Sequence, residues 1–336
     1  MATIKDVSEL AGVSQATVSR VVNGTSRVSH TKKLKVEKAI RELGYKLSAF
    51  GRTPSNTRTG SIGIIVPELG GPFYSEILNN IESTLSRYGY HTVVTSGQSS
   101  EHYQKESIEF LLGRRVDGII LLTPNLTDDY LINLEDQGVP LVVLNRTIPE
   151  MPRSCINIDN ELGGRIATQH LIKQGHTSIA CISGPLSEAD ARARLLGYRR
   201  ALEEADIPYD EMLVCEGGYT ETSGNTVMAK LLRREREFTA VFACNDHMAF
   251  GAYETLREEG ISVPEDISLI GFDNVNFARY LTPALTTVSF PIKEMCMEAV
   301  ELMFQKLNKN QTQVRYRLLP SLVIRDSVAE KSLIHA

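Results

Sequence analysis

The sequence predicts a small all-α head with a helix-turn-helix, followed by an α/β domain of two lobes with doubly wound parallel sheets. Residues 4–23 contain two short amphipathic patterns joined by a tight turn, which is typical of a helix-turn-helix. From residue 61 onward, apolar segments of strand length alternate with helical patterns, which is typical of parallel sheets with helices on both faces. We therefore predict a head at 1–45, a linker at 46–60 and the two-lobed domain at 61–336.

The first two helices follow from apolar spacing and from the residues that separate them. Gly12 can take the left-handed conformation that ends the first helix, Val13 can fill the angle between the helices, and Ser14 can cap the second. The apolar face of the first helix is predicted to be Ile4, Val7, Leu10 and Ala11. The inner face of the second is predicted to be Val18, Val21 and Val22.

The outward face of the second helix carries side chains that suit DNA. Gln15 can bond adenine through two atoms, Arg20 can fork onto guanine, and Ala16 can rest against a thymine methyl group. Short polar groups suited to phosphate oxygens share this face, namely Thr17, Ser19 and Asn23. The pattern alone leaves one alternative open, a helical hairpin whose polar face is simply solvated.

Charge is divided unevenly along the chain. Residues 1–60 carry 11 Lys and Arg against 4 Asp and Glu, a net charge of +7. The remainder then carries 25 basic and 37 acidic residues, a net charge of -12, within a whole-chain charge of -5. A basic head on an acidic body is typical of a local phosphate-binding module.

A third helix and a linker complete the head. Ser29 is a good N-cap residue, and the apolar repeat of the helix that follows is Val36, Ala39, Ile40 and Leu43. The lysines of this helix either steer phosphate or form a solvated face. Residues 46–59 are polar and contain Gly51 and Pro54, which both weaken a helix, so we expect this segment to be extended without DNA.

The larger domain shows two series of apolar segments. The first contains SIGIIVP, HTVVTSG, DGIILLT and PLVVLN, and the second contains SIACISG, MLVCEGG, FTAVFACN and ISLIGFDN. About ten alternating units exceed one sheet, which indicates two doubly wound lobes. Ligands bind at the carboxyl ends of the strands in such sheets, so a cleft is expected between the lobes.

Composition bears on redox state, cofactors and membranes. The cysteines are far apart without a C-x-x-C pair, which predicts buried reduced thiols and neither a metal nor another cofactor. No apolar run approaches the length of a membrane span, and the chain opens on an amphipathic helix instead of a signal peptide. We therefore expect a cytoplasmic protein without a membrane partner. The cysteines are Cys155, Cys181, Cys215, Cys244 and Cys296.

Longer motifs carry a family resemblance. The segments IKDVSELAGVSQATVSRVVNG and RVSHTKKLKVEKAIRELGY closely resemble the amino terminus of the LacI/GalR family of bacterial transcription repressors. The segments HLIKQGHTSIACISGP, NDHMAFGAYETLREEGISVPEDISLIGFDN and PALTTVSFP resemble the family's periplasmic-binding-protein-like sensor domain, and the last suggests that the chain returns to the first lobe near Pro291. VVLNRTIP and SLIGFDN are most similar to the galactose-type repressors. The resemblance implies a repressor whose affinity for operator DNA is controlled by a small sugar bound between the lobes.

The resemblance also extends the set of DNA contacts. Tyr45 matches a tyrosine that touches the DNA backbone, and Pro54 aligns with a leucine that wedges into the minor groove, a role proline can also fill. The chain departs from the family at Leu47, Ser48 and Gly51, which leaves the family's hinge helix in doubt here. The predicted contacts are Ser14, Gln15, Ala16, Thr17, Ser19, Arg20, Asn23, Arg27, Ser29, Tyr45 and Pro54.

Candidate effector residues lie where the predicted strands end. The Asp273 carboxylate can accept hydrogen bonds from sugar hydroxyls, Arg194 can donate to ring or hydroxyl oxygens, and Asn245 offers both a donor and an acceptor. Aromatic side chains could cover the apolar faces of a sugar ring. With these aromatic residues and two further family matches, the predicted set is Phe73, Tyr74, Asn145, Arg194, Tyr219, Asn245, Asp273 and Phe290.

Two alternatives compete with a sugar-responsive repressor. An enzyme is disfavoured because the sequence lacks a phosphate-binding loop, a G-x-S-x-G motif and metal-spaced His or Cys residues. A transport protein that binds sugar is disfavoured by the basic head. One head reads too few base pairs, which predicts a homodimer on a pseudo-palindrome, and the short tail AEKSLIHA lacks the heptads of a tetramer bundle. We expect the sugar to release DNA.

Overall fold

The computed structural model of the protein describes residues 4–22, 28–43, 58–308 and 313–331. The chain divides into two compact units, residues 1–57 and 58–336. Four of the predicted DNA contacts lie outside the described residues, namely Asn23, Arg27, Tyr45 and Pro54. Nearly all of the predicted linker, at 46–57, lies outside them as well.

The first unit contains three short helices around a small core. They are α1 (Ile4–Ala11), α2 (Gln15–Val22) and α3 (His30–Glu42). Gly12 follows α1 with a φ of +59°, as predicted for the turn, and Val13 packs against the core. The buried core residues are Val7, Ala11, Val18, Val36 and Ala39.

Two predicted core positions are wrong in this unit. Leu10 is 51% exposed, because it lies about 100° around α1 from Ala11 and the core is too small to cover it. Leu43 is 36% exposed, since α3 ends at Glu42 and the apolar repeat runs past the helix.

The two predicted helix caps have different outcomes. Ser14 precedes α2, and its Oγ accepts a hydrogen bond from the Thr17 backbone N–H at 3.3 Å, which confirms the cap. Ser29 occupies the N-cap position of α3 with extended backbone, but its side chain makes no capping hydrogen bond. The sequence therefore predicted the position of the second cap correctly and its chemistry wrongly.

The second unit contains two mainly parallel sheets, as predicted. The strands are β1 (Ser61–Val66), β2 (His91–Ser96), β3 (Gly118–Leu121), β4 (Leu141–Leu144), β5 (Cys155–Ile158), β6 (Ile179–Ser183), β7 (Val214–Glu216), β8 (Ala240–Ala243), β9 (Ser268–Asp273), β10 (Thr286–Ser289), β11 (Arg317–Leu318) and β12 (Ser321–Val323). The first lobe has the order β11-β5-β4-β3-β1-β2, and the second lobe has the order β12-β10-β9-β8-β6-β7. Only β12 runs antiparallel to its neighbour among the described strands.

Helices cover the faces of these sheets. They are α4 (Pro72–Ser86), α5 (Glu101–Gly113), α6 (Asp128–Asp136), α7 (Asn160–Lys173), α8 (Ala189–Glu204), α9 (Glu221–Leu232), α10 (Asp246–Glu258) and α11 (Ile292–Asn308). Because βα connections bring every parallel strand back in one direction, the carboxyl ends of the strands share one edge of each sheet.

The chain passes between the lobes at three places. It enters the second lobe between β5 and α7, and it returns after β10 at Pro291, as predicted, since α11 packs against α4. A third passage joins β11 to β12. The strands β5, β11 and β12 were not predicted, because each has four residues or fewer and none lies in a long apolar run.

Glycines permit close contact between α7 and α8. A Cβ atom on Gly197 would lie 2.0 Å from the Glu161 carbonyl oxygen, and one on Gly164 would lie 2.1 Å from the Arg194 carbonyl oxygen. Both obstacles are backbone atoms, so the two helices touch main chain to main chain. This contact fixes the position of α8 in the second lobe.

The five cysteines are buried, as predicted, and none of them is in a disulfide. Within the described ranges, the structure has no helix long and apolar enough to cross a membrane.

Candidate ligand cleft and nucleic-acid interface

A cavity of about 520 Å³ lies between the lobes of the second unit, at the carboxyl ends of both sheets. This volume is typical of a small-molecule site. Its walls come from the ends of β1, β3 and β4 in the first lobe and of β6 to β9 in the second. Seven of the eight predicted effector residues line it, namely Phe73, Tyr74, Asn145, Arg194, Tyr219, Asn245 and Asp273.

Phe290 is the exception among the predicted residues. It is 3% exposed and does not line the cavity. Its ring meets the Phe73 ring edge to face at 5.1 Å, and Phe73 meets Tyr74 in the same way at 5.4 Å. Phe290 therefore supports Phe73 from behind, and its predicted effector contact is wrong.

Arg194 is held rigidly in the second lobe. Its side chain is 3% exposed, Nε donates to Asn160 Oδ1 at 2.9 Å, and Nη1 donates to the Cys244 carbonyl at 2.5 Å. The guanidinium carbon lies 3.8 Å from the centre of the Phe272 ring. An arginine buried in this way needs no reorganisation before it binds a ligand.

Asp273 faces Arg194 across the floor of the cleft. Its Oδ1 lies 3.5 Å from Arg194 Nη1, which makes a buried ion pair without a short hydrogen bond. Burial raises the pKa of the Asp273 carboxyl, and Arg194 opposes that shift. Asp273 ends β9, as predicted, and its carboxylate lines the cleft with accepting capacity left over.

Three residues that line the cleft each contain a buried polar atom without a hydrogen-bond partner in the described part of the chain. The atoms are Thr123 Oγ1, Tyr219 Oη and Asp273 Oδ1. A buried polar group without a partner costs about 1–3 kcal/mol. These three residues come from both lobes and line the same cavity, so the cleft is polar on both sides.

Strained backbone marks the same cleft. Positive φ angles occur at Asn145 (+54°), Tyr219 (+61°) and Asp273 (+110°), which all follow or end strands. Residues other than glycine seldom adopt this region unless the surroundings impose it, and such residues cluster at functional sites. The strain turns these side chains from the strand direction towards the cavity.

Asn160 links the lobes and was missed by the sequence analysis. Its Nδ2 donates to Asn145 Oδ1 at 3.0 Å, while its Oδ1 accepts from Arg194. Asn145 Nδ2 also donates to Asp190 Oδ2 at 3.3 Å. The chain from Asn145 through Asn160 to Arg194 joins the end of β4 to α8. Its only signal in sequence was a polar INIDN segment between apolar ones.

Asn245 both lines the cleft and caps α10. Its Oδ1 accepts from the Met248 backbone N–H at 2.9 Å, and its Nδ2 donates to the Tyr219 carbonyl at 3.0 Å. One lone pair and one N–H of this amide stay available to a ligand.

Glu188 adds a carboxylate that the sequence analysis did not select. It precedes α8 and lines the cleft. Burial, together with the neighbouring Asp190 charge, raises the pKa of Glu188 to about 7, while Arg194 opposes the shift. Burial likewise raises the pKa of the Tyr74 phenol.

In the first unit, α2 presents the side chains predicted to read DNA. Gln15, Ala16 and Arg20 are exposed, whereas Val18 is fully buried on the opposite face. Thr17 and Ser19 are half-buried, and the Thr17 hydroxyl lies 3.0 Å from the Ser14 hydroxyl. Ser14 and Ser29 are exposed. This is the arrangement of a recognition helix.

Comparison with known proteins agrees with both units. Residues 3–48 match the bacterial regulatory proteins of the lacI family, and residues 168–328 match the periplasmic binding protein-like domain. The HTH-type transcriptional regulator GalR of Escherichia coli (strain K12) is 38% identical over 334 residues, which is 99% of this chain and 97% of that protein.

Two solved structures are similar over nearly the whole chain. A complex of the transcriptional regulator CelR with cellobiose is 37% identical with a TM-score of 0.74, covering 97% of this chain and 100% of that one. The lac repressor dimer bound to operator and the anti-inducer ONPF is 32% identical with a TM-score of 0.73, covering 98% and 99%.

The head with its outward-facing second helix and the two-lobed domain with its cleft define a ligand-controlled, DNA-binding regulator of transcription. With 38% identity to GalR over almost its full length, the chain belongs to the lacI family of bacterial regulatory proteins. It is a regulator of transcription, and the enzyme alternative is set aside.

Proposed function

We propose that the protein is a repressor whose affinity for a pseudo-palindromic operator is controlled by a small sugar bound in the cleft. The observation that carries this proposal is that Thr123, Tyr219 and Asp273, which each contain a buried polar atom without a hydrogen bond, line one cavity between the lobes. The cellobiose in the CelR complex supports the ligand class. Sugar hydroxyls both donate and accept, so they suit a cleft lined by hydroxyl, phenol and carboxyl groups.

Five of the predicted residues have specific roles in this proposal. Asp273 accepts from hydroxyls, Arg194 donates to sugar oxygens, and the rings of Phe73 and Tyr219 cover its apolar faces. Asn145, which follows β4, connects the ligand to the first lobe. We propose that the head spans residues 1–45, the linker 46–60 and the two-lobed domain 61–336.

The head reads base edges through Gln15 and Arg20, with Ala16 beside a thymine methyl and the hydroxyl groups on phosphates. One head covers too few base pairs for specificity, so the working form is a homodimer on two half-sites. The operator-bound lac repressor dimer supports this assembly. We place the protein in the cytoplasm, where its DNA lies.

Sugar in the cleft changes the arrangement of the lobes and thereby the spacing of the two heads. Coupling of this kind is reciprocal and amounts to about 1–3 kcal/mol. We expect sugar to release the operator. A runner-up function, sugar binding without a DNA role, conflicts with the exposed recognition helix.

A gel-shift experiment tests the proposal. Genomic fragments retained by the full-length protein are titrated with and without sugars that raise its melting temperature. We expect a retained fragment with two related half-sites, whose binding weakens by about 5–150-fold with the sugar. A sugar that binds in the cleft yet leaves operator affinity unchanged would contradict the coupling, and retention of no fragment would contradict the DNA role.

A further inference from the structure

We propose that the cleft selects an uncharged carbohydrate and rejects phosphorylated and carboxylated sugars. This inference rests on the proposed function and deepens it by naming the charge class of the ligand. It is carried by the charges that line the cavity and by the partners those charges already have.

Acids outnumber bases on the cavity wall. The lining contains five carboxylates, Glu68, Glu188, Asp190, Glu221 and Asp273, against three arginines, one histidine and no lysine. Burial raises the pKa of Asp273 and Glu188, so these two acids are partly neutral, but an anionic ligand would still meet more acidic than basic side chains on this wall. Like charges within a few ångströms in a partly desolvated site repel strongly.

The lining arginines are also committed to other groups. Arg146 forms an ion pair with Asp128 and donates to the Leu126 carbonyl at 2.6 Å. Arg192 donates to the carbonyls of Leu186 and Ser187, both at 2.7 Å.

Arg194 is committed as well. It holds Asn160 and Cys244, and it lies between two carboxylates, Asp273 at 3.5 Å and Asp190 at 3.7 Å. A phosphate that approached Arg194 would bring a further anion beside these carboxylates, whereas a neutral sugar oxygen can accept a hydrogen bond from Arg194 without adding charge.

Unlike the arginines, two of the carboxylates have no charged partner. Glu188 and Glu68 line the cleft without an ion pair among the described residues. A carboxylate accepts hydrogen bonds only from donors, and the hydroxyl groups of a neutral sugar are such donors. These side chains therefore favour hydroxyl groups over phosphate oxygens at the same positions.

The N-termini of the helices at the cleft do not replace the arginines as a site for an anion. The first turns of α8, α9 and α10 already carry Asp190, Glu221 and Asp246. In addition, Thr220 and Asn245 cap α9 and α10 through their side chains. The fourth helix that reaches the cleft, α4, begins with Pro72, which has no N–H to offer an anion. Acidic side chains thus offset the partial positive charge at three of the four helix N-termini.

Matched pairs of sugars test this inference on the full-length protein. Galactose is compared with galactose 1-phosphate, glucose with glucose 6-phosphate and glucuronate, and cellobiose with cellobiose 6′-phosphate, by thermal shift and isothermal titration calorimetry. We expect at least one neutral sugar to bind, and its charged counterpart to bind at least about tenfold more weakly. Tighter binding of a charged sugar, with that binding lost in Asp273→Asn, would overturn the inference. Binding by none of the neutral sugars would overturn it as well.

Variants test the mechanism of rejection. Glu188→Gln removes one unpaired carboxylate. The ratio of the affinity for the neutral sugar to the affinity for its phosphorylated counterpart should therefore fall by several-fold. Glu203→Gln, an exposed acid on the same helix away from the cleft, should leave the ratio unchanged. Glu68→Gln, on the exposed rim, supplies a second variant that does not disturb a buried position. An unchanged ratio in both cleft variants would contradict the role of these charges.

The operator separates this inference from the proposed function. If a phosphorylated sugar binds in the cleft and releases the operator, the proposed function stands and the charge selection is wrong. If a neutral sugar is preferred but operator affinity never responds, the charge selection stands and the proposed coupling is wrong.

Discussion

The Nε atom of Arg194 donates to Asn160 Oδ1 at 2.9 Å, and this bond joins the floor of the ligand cleft to the place where the chain first enters the second lobe. Asn160 is the first residue of α7, and its own N–H group reaches Asn145 on the first lobe. Arg194 therefore cannot shift without a change at the passage between the lobes. A ligand that moves Arg194 acts directly on the arrangement of the lobes.

Substitution of Asn160 should weaken sugar binding although the residue does not line the cleft. Asn160→Ala leaves the Arg194 Nε group without an acceptor, and we expect sugar affinity to fall about tenfold, since lost bonds to charged groups cost about 1.5–3 kcal/mol. Asn160→Asp keeps the acceptor for Arg194 but cannot donate to Asn145. Its affinity for the sugar should therefore lie between those of the wild type and Asn160→Ala. Calorimetry measures all three. Equal affinities in wild type and Asn160→Ala would show that the bond does not position Arg194.

Gly197 controls the contact between α7 and α8. Gly197→Ala places a methyl group 2.0 Å from the Glu161 carbonyl oxygen, and the helices must separate because backbone cannot rotate away. We expect a loss of about 1–3 kcal/mol in the free energy of unfolding, read from urea denaturation. Gly113→Ala is the matched control, since its new Cβ meets nothing within 4 Å at the end of α5. Similar stabilities for the two variants would argue against tight packing at the crossing.

Asp273→Asn keeps the shape of the side chain but removes its charge and one acceptor. We expect sugar affinity to fall by roughly tenfold or more, because hydrogen bonds to a charged group contribute about 1.5–3 kcal/mol. The variant should stay on the operator at sugar concentrations that release the wild type. Asp129→Asn, an exposed acid on α6, is the control. Loss of operator binding without sugar would instead place Asp273 in the scaffold of the fold.

Arg20 should supply sequence specificity. It is exposed on α2, and Arg20→Ala should cost about 1–3 kcal/mol of specific binding to an operator fragment while binding to random DNA falls far less. Lys105→Ala is the control: it removes one positive charge from the second unit and should leave the ratio of operator affinity to random-DNA affinity unchanged. Competition gel shifts give both affinities. Equal losses on operator and random DNA would reduce Arg20 to a phosphate contact.

Glu188 gives the stability a pH dependence of known sign. Its pKa is raised from 4.5 to about 7, so between these values the folded protein keeps a proton that the unfolded chain has released. Stability must then fall as the pH rises through this window. Glu188→Gln lacks this titration, so it should gain stability relative to wild type from pH 4.5 to 7 and level off above. Urea denaturation at several pH values checks the trend, with Glu203→Gln as control. A difference in unfolding free energy between Glu188→Gln and wild type that stays constant with pH would contradict the raised pKa.

Much of the site was predictable because parallel strands end at a common edge. Asp273 and Asn245 follow apolar runs in the sequence, so their convergence on one cleft could be inferred without coordinates. Phe290 also follows such a run, but the depth of its ring behind Phe73 depends on packing between elements distant in sequence. The importance of Asn160 could not be inferred, because its partners Asn145 and Arg194 lie 15 and 34 residues away and meet it only across the lobes.

The sequence by itself determined the two kinds of domain and the outward face of α2, because helix and strand periodicity and the position of Gly12 are local properties of the chain. Tertiary structure alone decided which apolar residues are covered: Leu10 has the right spacing but is 51% exposed beside the small core of the described residues. It also decided the charge character of the cleft. Which carboxylates face an arginine and which, like Glu188, face only the cavity depends on distances between helices and strands from both lobes, and no spacing along the chain encodes those distances.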